Sequence, residues 1–470
     1  MYDTIRDLIA RDPDYPRRTW ILDTLSRVLD GQLYDVLPYD FHEERTPAGE
    51  YVPLRKRRPS VKYPLCRVVV EDSVSLLFSE GHFPTIDCPD RVTQGALGLV
   101  VRDARLNLAM TDAAIRGSVG SVAILLKVLK GRIFFQVLDT KYMDPVWDPN
   151  EPDCLLTVTE CYKVSGPQLS RNGYRLPDAT RDYWFQRTWN REEEIWYEPR
   201  PVGHHAPPVV DSSRTVHHRL GFVPVVWIRN LPGFSSTGDP NDGASTFRPA
   251  LDTQIEIDYQ LSQAGRGLKY SSDPTLLLKE PYGAETDIVK GAGNALIVGE
   301  KGDARLLEIG GTAAAAVIEY VRTLRELALE SIHGNRASPE RLSGAQSGRA
   351  LELMNQGLLW LADNLRITYG EIALLTLARM VVRASERYAL HAAGAPLPPM
   401  DPTAPLSLKW PRWYPTSAAD RQLDAVTLST LMNSGQISRS TAVKAIADTY
   451  DIDNVTAELE QIQMERNERP

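Results

Sequence analysis

Apolar side chains recur at helical spacing along much of this 470-residue chain, and the longest such run lies between Ser347 and Tyr388. Leucine, isoleucine and methionine follow alternating steps of three and four through it, and no proline interrupts it. The pattern predicts one helix on the order of 60 Å long. That exceeds the usual length of a globular helix, so we expect it to span a large assembly or to lie along a partner, with bends at Gly357 and Gly370.

The same spacing and the usual end signals predict further helices, and alternating or β-branched segments predict strands. Helices are expected at residues 19–30, 64–78, 93–116, 249–270, 312–331, 418–432 and 439–450, followed by a polar C-terminal helix. Strands are expected at 118–130, 132–138, 182–190, 194–198, 218–224, 225–229, 275–279, 295–298, 305–309 and 406–409. Together these elements predict an α+β subunit of several domains.

Composition and charge limit the function classes. The chain is 43% hydrophobic and 24% charged, which is ordinary for a globular protein. Its apolar runs are too short to cross a bilayer, and its first residues lack the apolar core of a secretory signal, so we expect a protein made and used in a cytoplasm. The formal net charge is −8. Because proteins that grip DNA phosphates usually have a basic domain, the chain should either ignore nucleic acid or handle it without tight binding.

Several residue groups suggest chemistry, but each has a plainer interpretation that we favour. The cysteines (Cys66, Cys88, Cys154, Cys161) form no CxxC pair and are expected to be reduced thiols. The pairs His204-His205 and His217-His218 and the run Glu192–Glu194 suggest a metal site, but a loop and a solvated turn explain them. The aromatic residues (Tyr183, Trp184, Phe185, Trp189, Trp196, Tyr197) could stack bases, although strand packing is the better interpretation. Phosphate-loop and nucleophile-elbow motifs are absent from the sequence. We expect a protein without catalysis, metal or cofactor.

The order of the parts resembles the portal proteins of tailed bacteriophages. A helix, a small β insert, a second helix, a loop rich in Gly and Pro and a very long helix follow one another as in that family. Ser347-Gly-Arg-Ala-Leu resembles the start of the family's long helix, and Ser434-Gly-Gln-Ile-Ser-Arg-Ser-Thr-Ala is similar to a turn in its C-terminal helices. The helix at 64–78 also resembles an early helix of the family. The resemblance covers about residues 15–465, although the insert and the C-terminal region are short.

The resemblance implies a segmental organisation and a set of partners. It implies a wing at 1–244, a first stem helix at 245–272, a clip at 273–311, a second stem helix at 312–332, a tunnel loop at 333–346, a wing spine helix with a closing strand at 347–415, and a helical crown at 416–470. The expected assembly is a dodecameric ring at one capsid vertex of the virion, built in the host cytoplasm and without membrane contact. Its expected partners are double-stranded DNA in the channel, the terminase large subunit, a head–tail adaptor, and the major capsid and scaffolding proteins.

Charged residues of the first stem helix are candidates for the channel wall. They are Asp252, Glu256, Arg266 and Lys269. Acidic groups, including Asp258, lie near the start of this helix and basic groups near its end, an order that also suits the helix dipole. Both explanations, a channel gradient and dipole compensation, remain open.

The tunnel loop and the clip supply the other candidates that the resemblance implies. The loop candidates are Asn335, Arg336, Ser338, Glu340, Arg341, Gln346 and Arg349. We expect this loop to be the narrowest contact with DNA; an ordinary surface loop is the alternative. The clip candidates for docking the motor and adaptor are Lys279, Glu280, Glu285, Lys290, Glu300 and Lys301. A solvated charged hairpin is the alternative for each of these.

Two rival functions come from other classes. One is a metal-dependent phage enzyme that uses Glu192–Glu194 and the histidine pairs as ligands. The other is a non-portal head or baseplate component that uses the long helix for assembly. The mass of the assembly separates a ring from an enzyme that is a monomer or dimer.

Overall fold

The structure is a computed structural model, and it describes residues 1–204, 206–272, 275–281, 298–307, 312–334, 352–414, 418–447, 452 and 455–468. Its elements are mixed α+β, which confirms the predicted fold class at that level. The chain divides into two compact units: unit 1 is Met1–Arg336 with Gly357–Pro411, and unit 2 is Ala337–Gln356 with Arg412–Pro470.

The helices agree closely with the predicted ones in most places. They are α1 (Tyr2–Arg6), α2 (Arg17–Leu29), α3 (Leu65–Phe78), α4 (Arg91–Asp103), α5 (Leu106–Gly117), α6 (Gly166–Arg171), α7 (Leu251–Ser272), α8 (Thr312–Ser331), α9 (Gln356–Leu365), α10 (Leu375–Arg387), α11 (Ala418–Asn433), α12 (Arg439–Ile446) and α13 (Val455–Glu468). Ser438 caps α12 as predicted, since its hydroxyl accepts a hydrogen bond from the Thr441 N–H at 3.1 Å. The end predicted for this helix, near residue 450, lies outside the described residues.

The single helix predicted at 93–116 is wrong. Arg105 adopts a left-handed conformation with φ of 50°, so the chain ends α4 at Asp103 and begins α5 at Leu106. A left-handed residue cannot continue a right-handed helix. The break lets two separate apolar faces be buried, with Leu97 on α4 and Met110 on α5 both almost inaccessible to solvent.

The long helix also differs from the prediction. A helical stretch of 32 residues covers Gln356–Arg387, but its middle, Arg366–Leu374, has π-helical hydrogen bonding. The uninterrupted α-helix that we predicted is therefore wrong in this part. Residues 352–354 are helical and a turn follows at Asn355; the predicted beginning, 347–351, lies outside the described residues.

The strands form two larger antiparallel sheets and four small pairs. They are β1 (Tyr39–Asp40), β2 (Arg57–Arg58), β3 (Thr85–Asp87), β4 (Ser121–Leu129), β5 (Arg132–Leu138), β6 (Met143–Trp147), β7 (Leu155–Ser165), β8 (Asp182–Trp189), β9 (Glu193–Trp196), β10 (Arg200–Pro201), β11 (Val216–His217), β12 (Val225–Arg229), β13 (Thr275–Pro281), β14 (Val298–Leu307), β15 (His391–Ala392), β16 (Ala395–Pro396) and β17 (Ser407–Lys409). One sheet has the order β12-β4-β5; the other has the order β11-β9-β8-β7-β6, with β10 on β8. The small pairs are β1 with β2, β3 with β17, β13 with β14, and β15 with β16.

Some strand predictions need correction. We did not predict β6 and β7, and the strand predicted at 218–224 does not form. The β7 sequence alternates Thr, Glu and Lys with apolar residues, and it is half-buried rather than a continuous apolar run. The predicted segment 295–297 lies outside the described residues. The clip strands at 275–279 and 305–307 are paired with each other as β13 and β14.

The core of unit 1 lies on both faces of β4. Leu126 packs with the helical layer of α4 and α10, which contributes Leu97 and Val381. Leu125 faces the second sheet and packs with Trp189 of β8. Successive residues of a strand point to opposite faces of the sheet. Since both faces of β4 are covered, side chains on both faces are buried, and the sequence of β4 contains a continuous apolar run.

Candidate functional site

Two helices and a hairpin form the site that the sequence singled out. The helices α7 and α8 contact each other along their lengths, and the antiparallel hairpin of β13 and β14 connects them. The flanking helices that the proposed channel requires therefore lie side by side in one chain.

The first half of α7 is a core element of unit 1. Leu251 and Ile255 are almost completely inaccessible, and they recur at helical spacing on the face that also carries Asp258 and Ser262. Ser262 accepts a hydrogen bond from the Val61 N–H at 3.0 Å. The adjacent Gln254 accepts one from the Cys66 N–H at 2.9 Å. These contacts fix the start of α7 to the segment before α3 and to α3 itself.

Asp258 is the central polar residue of this contact and is fully inaccessible to solvent. One carboxylate oxygen accepts a hydrogen bond from the Tyr34 hydroxyl at 2.6 Å, and the other accepts one from the Tyr63 N–H at 2.6 Å. Burial raises the pKa of the Asp258 carboxyl to about 7, although these two hydrogen bonds act in the opposite direction. Asp258 therefore faces the interior of unit 1 and not an exposed channel wall.

Tyr63 connects the two helices. Its backbone N–H donates to Asp258 of α7, and its hydroxyl accepts a hydrogen bond from the Arg325 Nε of α8 at 3.2 Å. The neighbouring Lys62 lies 5.8 Å from the centre of the Tyr34 ring. The segment before α3 thus holds α7 and α8 in register with each other.

The predicted channel residues of α7 have partners within the chain. Asp252 accepts hydrogen bonds from the Met1 amino group and the Tyr2 N–H, both at 2.7 Å. Glu256 accepts one from the Gln260 side chain at 2.7 Å, and Arg266 forms an ion pair with Glu44. Lys269 is exposed near the end of the helix. These four residues lie along one helix, but no described contact joins them into one cluster.

The second helix is largely exposed. Most side chains from residue 315 to residue 327 are at the surface, including three large apolar ones. Ile318 is 45% exposed, Tyr320 47% and Leu327 56%. Among residues 315–331, whose burial the structure describes, only Ala328 and Leu329 are buried. A single chain thus leaves much of the apolar surface of α8 in contact with water.

The remaining predicted site residues lie where less is described. The tunnel-loop candidates, Asn335, Arg336, Ser338, Glu340, Arg341, Gln346 and Arg349, are outside the described residues, as are the clip candidates Glu285 and Lys290. Lys279 and Glu280 belong to β13, and Glu300 and Lys301 belong to β14. These assignments stay predictions.

The rival metal site finds no support where the chain is described. Residues 190–192 form the tight turn between β8 and β9, in which the Asn190 side-chain oxygen accepts the N–H groups of Glu192 and Glu193, both at 2.8 Å. His218 accepts from the Leu220 N–H and contacts the Asn190 carbonyl, and burial lowers its pKa. No group of three or more potential ligands occurs in the described parts of the chain, and none of the helices described there is long and apolar enough to cross a bilayer.

Three of the aromatic strand residues, Tyr183, Phe185 and Trp189, are buried, as expected for strand packing.

Two residues of functional interest were missed or misjudged in the sequence. Asp258 lies three residues after Ile255 and seven after Leu251, so its position on the apolar stripe could have indicated burial. Phe234 lies in a Pro-Gly-Phe turn after β12, and nothing in its local pattern distinguishes an exposed aromatic from a buried one.

No protein-family model matches the chain, and no curated protein matches it.

Proposed function

We propose that this chain is a phage portal protein: a subunit of a ring at one capsid vertex, which conducts double-stranded DNA and docks the packaging motor and the head–tail adaptor. The observation that carries the proposal is the side-by-side pair α7 and α8 with the β13–β14 hairpin between them. Multiplied by rotational symmetry, such a pair walls a hole, and the hairpin edges are available for pairing with a neighbouring copy.

The exposure of α8 supports assembly. Monomeric proteins rarely leave large apolar side chains together at the surface, whereas Tyr320 and Leu327, seven residues apart on one face of α8, are each about half exposed. Packing against the helices of a neighbouring copy would remove these side chains from water. In this proposal the helical stretch Gln356–Arg387 is the spine of the wing, and its predicted earlier part, 347–351, lies outside the described residues.

The net charge of the chain favours passage of DNA over tight binding of DNA. A net charge of −8 on each copy, repeated around a ring, repels the phosphates of a duplex. The repulsion is screened over about 10 Å at moderate salt, so it acts inside a narrow bore and little beyond it. DNA can then slide without adhering to the wall.

Deleting residues 335–345 tests the role of the tunnel loop. We expect this deletion to abolish DNA packaging while rings still form, because the loop is proposed to touch DNA and α7 and α8 remain intact. The measurement is the yield of DNA-filled capsids in phage complemented with the variant, together with electron microscopy of purified rings.

The control for this deletion removes the exposed turn at residues 47–49, which should leave packaging unchanged. Normal packaging by the deletion of 335–345 would refute the assignment of the loop. Loss of rings in that variant would refute the separation of assembly from DNA contact.

A further inference from the structure

Phe234 is an aromatic side chain held in solvent. It is 98% exposed, and it lies in the loop that connects β12 to the segment before α7. Gly233 adopts a positive φ of 117° with open space around it, which turns the Pro232-Gly233-Phe234 tip outward. Large exposed aromatics of this kind are typical anchors of protein interfaces.

Backbone hydrogen bonds and a buried ion pair hold the base of this loop in place. Leu231 and Ala244 form a bridge, and the Ser236 N–H donates to the Gly243 carbonyl at 3.0 Å. Asp242 is buried and accepts hydrogen bonds from both Nε and Nη2 of Arg18 at 2.8 Å. A rigid base beneath an exposed tip reduces the entropy that is lost when the tip binds.

An apolar cleft opens between the two large sheets of unit 1. Its volume is about 390 Å³. Most of its lining is apolar, including Leu125, Leu129, Trp189, Trp196 and Val216, while Lys127, Glu194, Arg214 and His218 also line it. Leu129 and Val216 are 56% and 52% exposed, so the cleft has an apolar rim as well as an apolar wall. A cleft of this size and lining suits an aromatic side chain.

The exposed aromatic and the cleft lie at opposite ends of β4. In the β12–β4 pair, Val225 is opposite Leu125 and Arg229 is opposite Ser121. The Phe234 loop continues beyond Arg229, and Asn230 N–H donates to the Gly120 carbonyl at 2.9 Å, so the loop leaves at the start of β4. The cleft is formed by residues 125–129, at the other end of the strand and roughly 20 Å away.

We infer that Phe234 of one copy inserts into the cleft of the next copy. The Phe234 tip and the cleft are different surfaces of one chain, so the contact is head-to-tail. Contacts of this kind can close into rings. The inference rests on the proposed ring and deepens it, because it assigns the subunit interface within the wing region. Each copy then contributes Phe234 to its neighbour and receives the equivalent side chain from the other side.

Disulfide trapping tests this contact directly. Cys154 and Cys161 are first replaced by serine, since they are the partly exposed thiols; Pro232→Cys and Val216→Cys are then introduced together, which leaves Phe234 in place. We expect mild oxidation to give a ladder of covalent oligomers. The control pair Leu108→Cys with Val216→Cys should give no ladder, because Leu108 is also exposed but lies on α5 and not on the Phe234 loop.

The Phe234→Ser variant provides a second test of the same contact. We expect it to raise the concentration needed for assembly by roughly tenfold or more, as for loss of an interface anchor, and to remove the ladder, while Leu108→Ser leaves assembly unchanged. Circular dichroism should show both variants folded, since both side chains are exposed.

Failure of the inference and failure of the proposed function give different results. Rings that form without the ladder, and equally well with Phe234→Ser, would overturn the inference alone. A ladder in open chains without rings would support the contact and overturn the portal. A wild-type chain that stays monomeric at all concentrations would overturn both.

Discussion

At the scale of single residues, Asp258 has the most unusual environment among the residues of the proposed stem. A carboxyl group without solvent contact is costly to ionise. Here one carboxyl oxygen accepts a hydrogen bond from a tyrosine hydroxyl, and the other accepts one from a backbone N–H. The result is a group that changes charge near neutral pH while it holds α7 against the segment before α3.

The raised pKa predicts a definite pH dependence of stability. The folded pKa is about 7, whereas an unfolded aspartate titrates near its ordinary value of 3.8. Between these pH values the folded chain binds more protons than the unfolded chain, so the free energy of unfolding should fall as pH rises from about 4 to about 7. Asp258→Asn keeps the shape of the protonated group and should remove this part of the fall, as measured by urea unfolding at several pH values.

The exposed residue Asp363 of α9 gives a matched control, and Asp363→Asn should keep the wild-type slope. If Asp258→Asn retained the full pH dependence, Asp258 would not be the group responsible. An Asp258→Asn chain less stable than wild type at pH 8 would also contradict this account.

At the scale of elements, the π-helical segment gives the long helix its particular shape. Tyr369 is fully buried there, and its hydroxyl donates to the Asn230 side-chain oxygen at 3.0 Å. The guanidinium of Arg366 lies 4.6 Å from the Trp410 ring centre, and burial lowers its pKa to about 10. Wide turns of this kind mark places where side-chain packing outweighs regular helical hydrogen bonding.

Substitution of Gly370 tests why the π-helical segment forms. A Cβ atom at this position would overlap the Trp410 ring, so Gly370→Ala should lower the free energy of unfolding by about 1–3 kcal/mol, as for overpacking of a core. Gly357 also lies in the long helix, but a Cβ there meets His333 only at 3.8 Å or more. Gly357→Ala should therefore raise stability by about 0.5–1 kcal/mol, because alanine favours the helix.

Chemical denaturation of the two alanine variants provides the measurement. Equal effects of the same sign would show that helix propensity alone decides at both positions. That result would contradict the role of Trp410 contact in placing the π segment.

The helices α7 and α8 could be predicted closely from the sequence, and the π segment could not. Helical spacing and the end signals around residues 249–331 are local, so they are visible in one sequence. The π segment depends on Trp410 and Asn230, which are distant in the chain. For the same reason the burial of Asp258 was missed: it depends on Tyr34 and Tyr63, while the charge alone indicated a surface position.

At the scale of the whole molecule, three features of one chain fit the proposed assembly. The apolar surface of α8 is exposed, the β13–β14 hairpin stands as a two-stranded sheet, and Phe234 lies almost completely in solvent. In the proposed ring, contacts between identical copies would cover all three.

The most direct test is the mass and image of the purified chain. Mass photometry should give a closed assembly close to twelve times the 52.5 kDa of one chain, and negative-stain microscopy should show a central hole wide enough for a duplex. A monomer or dimer at every concentration, or an assembly without a hole, would contradict the proposal that α7 and α8 line a channel for DNA.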